Sequence, residues 1–294
     1  MFHGIFTPIV TPFTDNEEID YEKMYHNLAL WGKTDLAGIV VLGSNGEFVF
    51  MSIDEKLTLV KEVIHDFDKG KKVIVGTGCE STKETIELID KVAELGADAV
   101  LVLPPHYYKG AMKDEILYRH YVDIGNESSV PVFVYNMPGN TGINLPPSLV
   151  ARLSQHPNIV GIKDTSGSIV QLSELVRDTE DGFAVFPGNA GYLLPALAVG
   201  ANGATLALAN ILPEDCCKLL SLFKDGRMDE AQTLQLRMLE INSIVTTRLG
   251  IPALKVAMDM LGYQGGKPRR PLRPLPEEGR KLLQDALRRY GALQ

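Results

Sequence analysis

A lysine ends a short β-branched run in Asn158-Ile159-Val160-Gly161-Ile162-Lys163-Asp164-Thr165. The run reads as a buried strand, with Lys163 projecting from its C-terminal end. Lysine is rarely buried without a partner or a task. A low-dielectric pocket disfavours an ammonium. The neutral amine is a nucleophile that condenses with carbonyls to a Schiff base. The alternative is structural, an ion pair with the adjacent Asp164. On these residues alone the two readings stand level.

Other chemistry-bearing residues sit at the ends of similar runs. Tyr135 closes one, in Val134-Tyr135-Asn136-Met137-Pro138-Gly139-Asn140-Thr141-Gly142. On neighbouring parallel strands it would lie beside Lys163. Its phenol both donates and accepts, so it can move protons; a core tyrosine bonded to backbone is the alternative. Leu42-Gly43-Ser44-Asn45-Gly46-Glu47-Phe48 is a turn of small residues whose backbone N–H groups can cradle an anion. A tight β–α turn without a ligand is the more common case. Leu103-Pro104-Pro105-His106-Tyr107-Tyr108 brings two tyrosines to a strand end, where they pack or relay a proton. Phe186-Pro187-Gly188-Asn189 leaves small groups that can face a ligand.

The elements that must hold these residues follow from the pattern. Eight apolar runs recur: 4–10, 38–42, 72–76, 99–103, 131–135, 159–163, 183–187 and 203–207. Rich in Val and Ile and apolar on both faces, they read as parallel strands covered on both sides. Amphipathic helices lie between nearly all of them. One starts at Ser52, where Glu55 completes a capping box, and another at Ser81, with Glu84 three residues on. Further helices are expected over 113–125, 147–155, 169–179 and 192–198. Alternation of this kind implies a parallel sheet, and eight repeats favour an α/β (β/α)₈ TIM barrel over residues 1–211. An open doubly wound sheet is the runner-up, weakened because no Gly-x-Gly-x-x-Gly follows the first strand. From 212 to 294 only helical patterns remain, expected over 213–224, 227–247, 252–261 and 276–290. They form a C-terminal helical extension packed on the barrel.

Composition narrows the function. Of 294 residues, 45% are hydrophobic and 22% charged, with a net charge of -8, which suits a globular chain. No basic stripe with interleaved aromatics points to nucleic acid. The cluster Lys267-Pro268-Arg269-Arg270-Pro271-Leu272-Arg273 reads as a surface loop. No apolar run is long enough to span a bilayer. The start, Met1-Phe2-His3-Gly4-Ile5-Phe6, lacks the features of a signal or transit peptide. Cys79, Cys216 and Cys217 do not suggest a disulfide framework, which favours a reducing cytoplasm. The six histidines are scattered and read mostly as surface or loop residues. No Cys/His cluster has metal-site spacing, so no metal and no cofactor are expected.

Taken together, Gly43-Ser44-Asn45-Gly46-Glu47, Tyr135-Asn136-x-Pro138-x-x-Thr141-Gly142 and Gly161-Ile162-Lys163-Asp164 resemble the dihydrodipicolinate synthase / N-acetylneuraminate lyase superfamily of class I aldolases. The resemblance spans essentially the whole chain. It implies that Lys163 condenses with the ketone of pyruvate or another 2-oxo acid. Tyr135 would shuttle protons, and Ser44 and Asn45, with local N–H groups including Gly46, would bind the carboxylate. Tyr107 would complete a proton relay through Ser44, reaching across to a neighbouring subunit. That implies a homotetramer, a dimer of dimers. Asn140, Thr165, Gly188 and Asn189 would complete the substrate site.

The same comparison sorts substrates. Synthases that condense pyruvate with aspartate semialdehyde usually carry arginine where this chain has Asn140, and Thr-Thr where it has Ser44-Asn45. Asparagine offers no bidentate cationic fork. Both departures resemble 4-hydroxy-2-oxoglutarate aldolase. So do Gly78-Cys79-Glu80-Ser81-Thr82, the stretch from Leu153 to Gly161, and Arg248-Leu249-Gly250-Ile251-Pro252-x-Leu254-Lys255. The expected reaction is cleavage of 4-hydroxy-2-oxoglutarate to pyruvate and glyoxylate. A dihydrodipicolinate synthase using another cation is the nearest rival, followed by a sugar-acid aldolase or dehydratase. A non-catalytic 2-oxo acid sensor would need no proton shuttle, and a metal-dependent aldolase would need a ligand cluster.

Overall fold

Eight parallel strands wind into a barrel: β1 (Gly4–Pro8), β2 (Gly38–Val41), β3 (Lys72–Gly76), β4 (Ala99–Val102), β5 (Val132–Asn136), β6 (Ile159–Asp164), β7 (Ala184–Pro187) and β8 (Gly203–Thr205). The computed structural model describes residues 2–293; Met1, where the N-terminal reading begins, and Gln294 lie outside them. The ladder runs β7-β6-β5-β4-β3-β2-β1-β8, and β7 packs against β8 to bring the sheet round on itself. Eight helices lie between or beside the strands: α1 (Tyr21–Gly32), α2 (Ile53–Asp66), α3 (Thr82–Glu94), α4 (Asp114–Glu127), α5 (Pro138–Thr141), α6 (Pro147–Ser154), α7 (Ile169–Asp178) and α8 (Leu193–Ala198). Four more follow β8: α9 (Pro213–Lys224), α10 (Met228–Ser243), α11 (Gly250–Met260) and α12 (Glu277–Tyr290). The architecture is a (β/α)₈ TIM barrel with C-terminal helices.

Each strand runs to the barrel's mouth and delivers its last residue there. The barrel interior is filled by Phe6, Val40, Leu101, Phe133, Tyr135 and Phe186. The aromatic rings fit because glycines face them. A Cβ on Gly161 would lie 2.5 Å from the Phe133 ring, and one on Gly203 would lie 2.6 Å from the Phe186 ring. A second, larger core fills the layer between strands and helices. The Ser52–Glu55 capping box forms as expected, with Glu55 N–H donating to Ser52 Oγ at 3.2 Å and Ser52 N–H to Glu55 Oε2 at 2.8 Å. Among the described residues no helix is long and apolar enough to cross a membrane.

Two sequence readings need correction. Helix α1 carries no cap signal as clear as that of Ser52, and the alternation left it out. The basic stretch after Gly266 is not simply a surface loop. Arg270 is exposed, but the Arg269 side chain is only 11% exposed and grips the Glu55 carboxylate and the Phe50 carbonyl. Burying a guanidinium requires such acceptors, and proline-rich spacing does not reveal them. The histidines lie mostly at the surface as read, and His120 is the buried exception. It is 5% exposed on α4, with Nδ1 at 2.8 Å from Thr82 Oγ1 and Nε2 without a partner among the described residues.

Burial pushes the His120 imidazole down to about 4, with Asp123 opposing weakly. The unfolded chain takes up this proton near pH 6.5, whereas the folded chain refuses it until about pH 4. His120 therefore stabilises the fold fully above pH 6.5, and that stability drains away as pH falls through the window. At about 1.4 kcal/mol per pH unit, the loss approaches roughly 3 kcal/mol. His120→Gln removes the titration. Denaturant midpoints measured at pH 7, 5.5 and 4 should fall less steeply for the variant. Parallel curves would show that His120 does not drive acid sensitivity.

Candidate active site

Lys163 sits on β6 directly opposite Tyr135 on β5 in the ladder register. Its Nζ lies 4.1 Å from the centroid of the Tyr135 ring, and the residue is only 4% exposed. The structural alternative for Lys163 fails. Successive strand residues point to opposite faces, so Asp164 turns away from the barrel axis. There its Oδ2 accepts from Asn136 Nδ2 and Gln171 Nε2, both at 2.7 Å, and its Oδ1 accepts from Ser166 N–H at 3.0 Å. The carboxylate thus braces the ends of β5 and β6 from behind and leaves the amine to the barrel mouth.

A cleft of about 920 Å³ opens over this pair. Ser44, Asn45, Asn140, Thr165, Gly188 and Asn189 line it together with Tyr135 and Lys163. Ser44 and Asn45 begin a single 3₁₀ turn, Ser44–Gly46. Gly46 N–H bonds the Gly43 carbonyl and Glu47 N–H bonds the Ser44 carbonyl. The first two N–H groups of a helical turn have no carbonyl behind them, and among the described residues no backbone carbonyl outside the turn takes up those of Ser44 and Asn45. The turn is flanked by two left-handed non-glycine residues, Leu42 (φ 57°) and Glu47 (φ 59°). Such conformations persist only where surroundings impose them, and they gather at functional sites. Ser44 also shares a small internal cavity with Tyr135.

Some expected members contribute differently. Gly46 does not line the cleft; its N–H is spent on Gly43, and an added Cβ would meet Ile9 O and Thr11 Oγ1 at 3.2 Å. The Thr165 hydroxyl donates to the Asn136 carbonyl at 2.5 Å, so it fixes the turn after β6. Gly188 has no room for a side chain, because a Cβ would lie 1.9 Å from Thr165 Cγ2. Asn189 Oδ1 accepts from Gly191 N–H and Asn242 Nδ2. Within this chain Tyr107 stays outside the cleft: it is 77% exposed, with its N–H held by Glu80 Oε2 at 2.9 Å.

Two sets of cleft residues went unread in the sequence. Tyr192 follows β7 and donates its hydroxyl to the Asp164 carbonyl at 3.2 Å. Burial, aided by Asp164, pushes its phenol well above the ordinary range. An aromatic shortly after a strand end was the available signal. The other set is the far wall, built by Asn242, Ser243, Thr246 and Thr247 from α10 and the π-helical turn Ile244–Arg248. π-turns often mark functional sites. Nothing local in the sequence shows that this segment returns to the barrel mouth. Lys163 is the one charged side chain that lines the cleft among the described residues. No group of three or more His, Cys, Asp or Glu is placed to hold a metal ion among them either.

The profile of the dihydrodipicolinate synthetase family matches residues 1–290. The chain belongs to that family. Its members are Schiff-base class I aldolase-type enzymes that use pyruvate, typically as tetramers. The 4-hydroxy-tetrahydrodipicolinate synthase of Methanothrix thermoacetophila is 35% identical over 294 residues, covering 100% of this chain and 98% of that one. A protein of Emericella nidulans named "Probable 4-hydroxy-2-oxoglutarate aldolase, mitochondrial" is 36% identical over 285 residues, covering 95% and 92%. Among solved structures, a dihydrodipicolinate synthase from Acinetobacter baumannii complexed with pyruvate superposes with a TM-score of 0.94 at 30% identity, covering 100% of both chains. These relatives of two specificities lie at nearly equal identity, so likeness fixes the family and leaves the second substrate to the cleft.

Proposed function

We propose that this enzyme cleaves 4-hydroxy-2-oxoglutarate to pyruvate and glyoxylate through an imine on Lys163. The amine attacks the ketone carbon, the oxygen takes up protons, and water leaves. Tyr135, beside the amine, carries those protons. Ser44 and Asn45 N–H groups hold the adjacent carboxylate. Deprotonation of the 4-hydroxyl then breaks the C3–C4 bond. Its electron pair flows into the iminium to give an enamine, and glyoxylate departs. Protonation of the enamine and hydrolysis release pyruvate and the free lysine.

The observation that carries the substrate choice is the uncharged lining beyond Lys163. Aspartate semialdehyde is a zwitterion. Here its carboxylate would meet Asn140 in place of a guanidinium, and among the described residues no carboxylate lines the cleft to receive its ammonium. Glyoxylate is smaller and asks for one anion contact, which amides and hydroxyls can supply. The semialdehyde brings one carboxylate as glyoxylate does, but also an ammonium, and a cleft lined by no carboxylate among the described residues leaves that ammonium without a charge-assisted bond. The synthase reading keeps its support from the names of the other relatives.

The test is a parallel assay of 4-hydroxy-2-oxoglutarate cleavage and of pyruvate condensation with aspartate semialdehyde. We expect the higher kcat/KM for cleavage, and a ratio shifted towards the semialdehyde in Asn140→Arg without an efficient synthase resulting. Efficient condensation with 4-hydroxy-2-oxoglutarate left intact would overturn the assignment. The exposed Tyr107 and Tyr108 side chains, 77% and 73% accessible, support an assembly in which another copy covers them. The same preparation, sedimented at assay concentration, should show more than one chain per particle. A fully active monomer would remove the cross-subunit role of Tyr107.

A further inference from the structure

A second buried lysine lies behind the active-site turn. Lys255, on α11, is 1% exposed, and its Nζ stands 2.5 Å from Glu47 Oε1. It also donates to the Thr11 carbonyl at 2.8 Å and the Lys267 carbonyl at 2.6 Å, and lies 4.7 Å from the Phe13 ring centroid. The other Glu47 oxygen accepts Arg269 N–H at 2.8 Å. Glu47 is thus held from two parts of the C-terminal region while its backbone adopts the left-handed conformation that ends the Ser44–Gly46 turn.

We propose that Lys255 is a positioning residue for substrate: through Glu47 it fixes the turn that presents the Ser44 and Asn45 N–H groups to a 2-oxo acid carboxylate. The proposal rests on the carboxylate-binding role of that turn given above. A fully buried ion pair is a poor stabiliser, since apolar residues of similar size often serve as well or better. Its value lies in geometry. The charges meet at one separation, and the carbonyls of Thr11 and Lys267 fix the ammonium from other sides. A glutamate with positive φ needs such an external constraint. Burial pushes the Lys255 ammonium down to about 8, opposed by Glu47 and Asp259 and assisted by Arg269. The role is distinct from that of Lys163, because Lys255 has its acceptors already and does not reach the cleft.

The test compares two ketones that differ in the carboxylate. Pyruvate and acetone are each titrated in the presence of borohydride, and adduct at Lys163 is followed by mass. In Lys255→Met the pyruvate concentration for half-maximal trapping should rise at least tenfold, while acetone trapping changes less than twofold. The double variant Glu47→Gln/Lys255→Met, which leaves no lone buried charge, should show the same selective loss. Equal weakening of both ketones, or unchanged pyruvate trapping, overturns the proposal. Failure of both variants to fold also overturns it, marking the pair as structural support. A wild-type protein that traps no pyruvate at Lys163 would instead remove the imine reading and this proposal with it. Wild-type trapping without selectivity in the variants removes this proposal alone.

Discussion

Lys163→Met is expected to lose the reduced pyruvate adduct and to bring turnover down to the background of the buffer. Wild-type protein treated with pyruvate and borohydride should gain one adduct per chain, at Lys163. The structure supplies an internal control, since two lysines among the described residues are deeply buried. Lys255 is committed to Glu47 and two carbonyls. Lys163 faces the Tyr135 ring and the cleft, and its neighbouring carboxylate is spent on Asn136, Gln171 and Ser166. An amine already holding its hydrogen-bond acceptors, and outside the cleft, is a poor nucleophile towards a ketone. Methionine keeps the length and apolar stem of lysine, so the barrel should stay folded. Peptide mapping decides the matter: an adduct on Lys255 or a surface lysine, or full turnover in Lys163→Met, would sink the imine mechanism.

Much of this site was legible because parallel strands covered on both faces leave dense Val and Ile runs. Counting those runs gives the barrel, and the barrel places strand ends at one mouth. The adjacency of Tyr135 and Lys163 follows from that topology alone, and the ladder pairs them. Long-range contacts were harder to read. Asn242 and Thr246 reach the cleft because α10 and its π-turn fold back over the mouth, a fact of tertiary packing. Arg269 looked like one of several loop cations, yet it is the one that meets Glu55. Periodicity reports which face of an element is apolar; it does not report where a loop will find an acceptor. Gly46 shows a related limit. A small residue in an anion-cradling turn can serve the ligand or the packing behind it, and here it serves the packing against Ile9 and Thr11.

Tyr135→Phe should leave the fold intact and lower kcat by about 10²–10⁴-fold, the usual contribution of a general acid–base group. The ring carries the packing, because it belongs to the apolar cluster inside the barrel with Phe133 and Phe186. Phenylalanine preserves that ring and the surface it offers to Lys163. Only the hydroxyl is lost, and with it the group to which the proposed mechanism gives proton transfer in carbinolamine formation and dehydration. Two readouts should therefore move together. Turnover should fall, and the imine should form more slowly when trapped by borohydride in a time course, while the final yield at long times stays near one per chain. The thermal midpoint should remain close to wild type. That pattern differs from a packing defect, which would lower the midpoint, and from a binding defect, which would raise KM with kcat preserved. A variant within a few-fold of wild type in both rates would return Tyr135 to the status of a core residue and require the proton carrier to be sought elsewhere, with Ser44 the next group in reach of the same cavity.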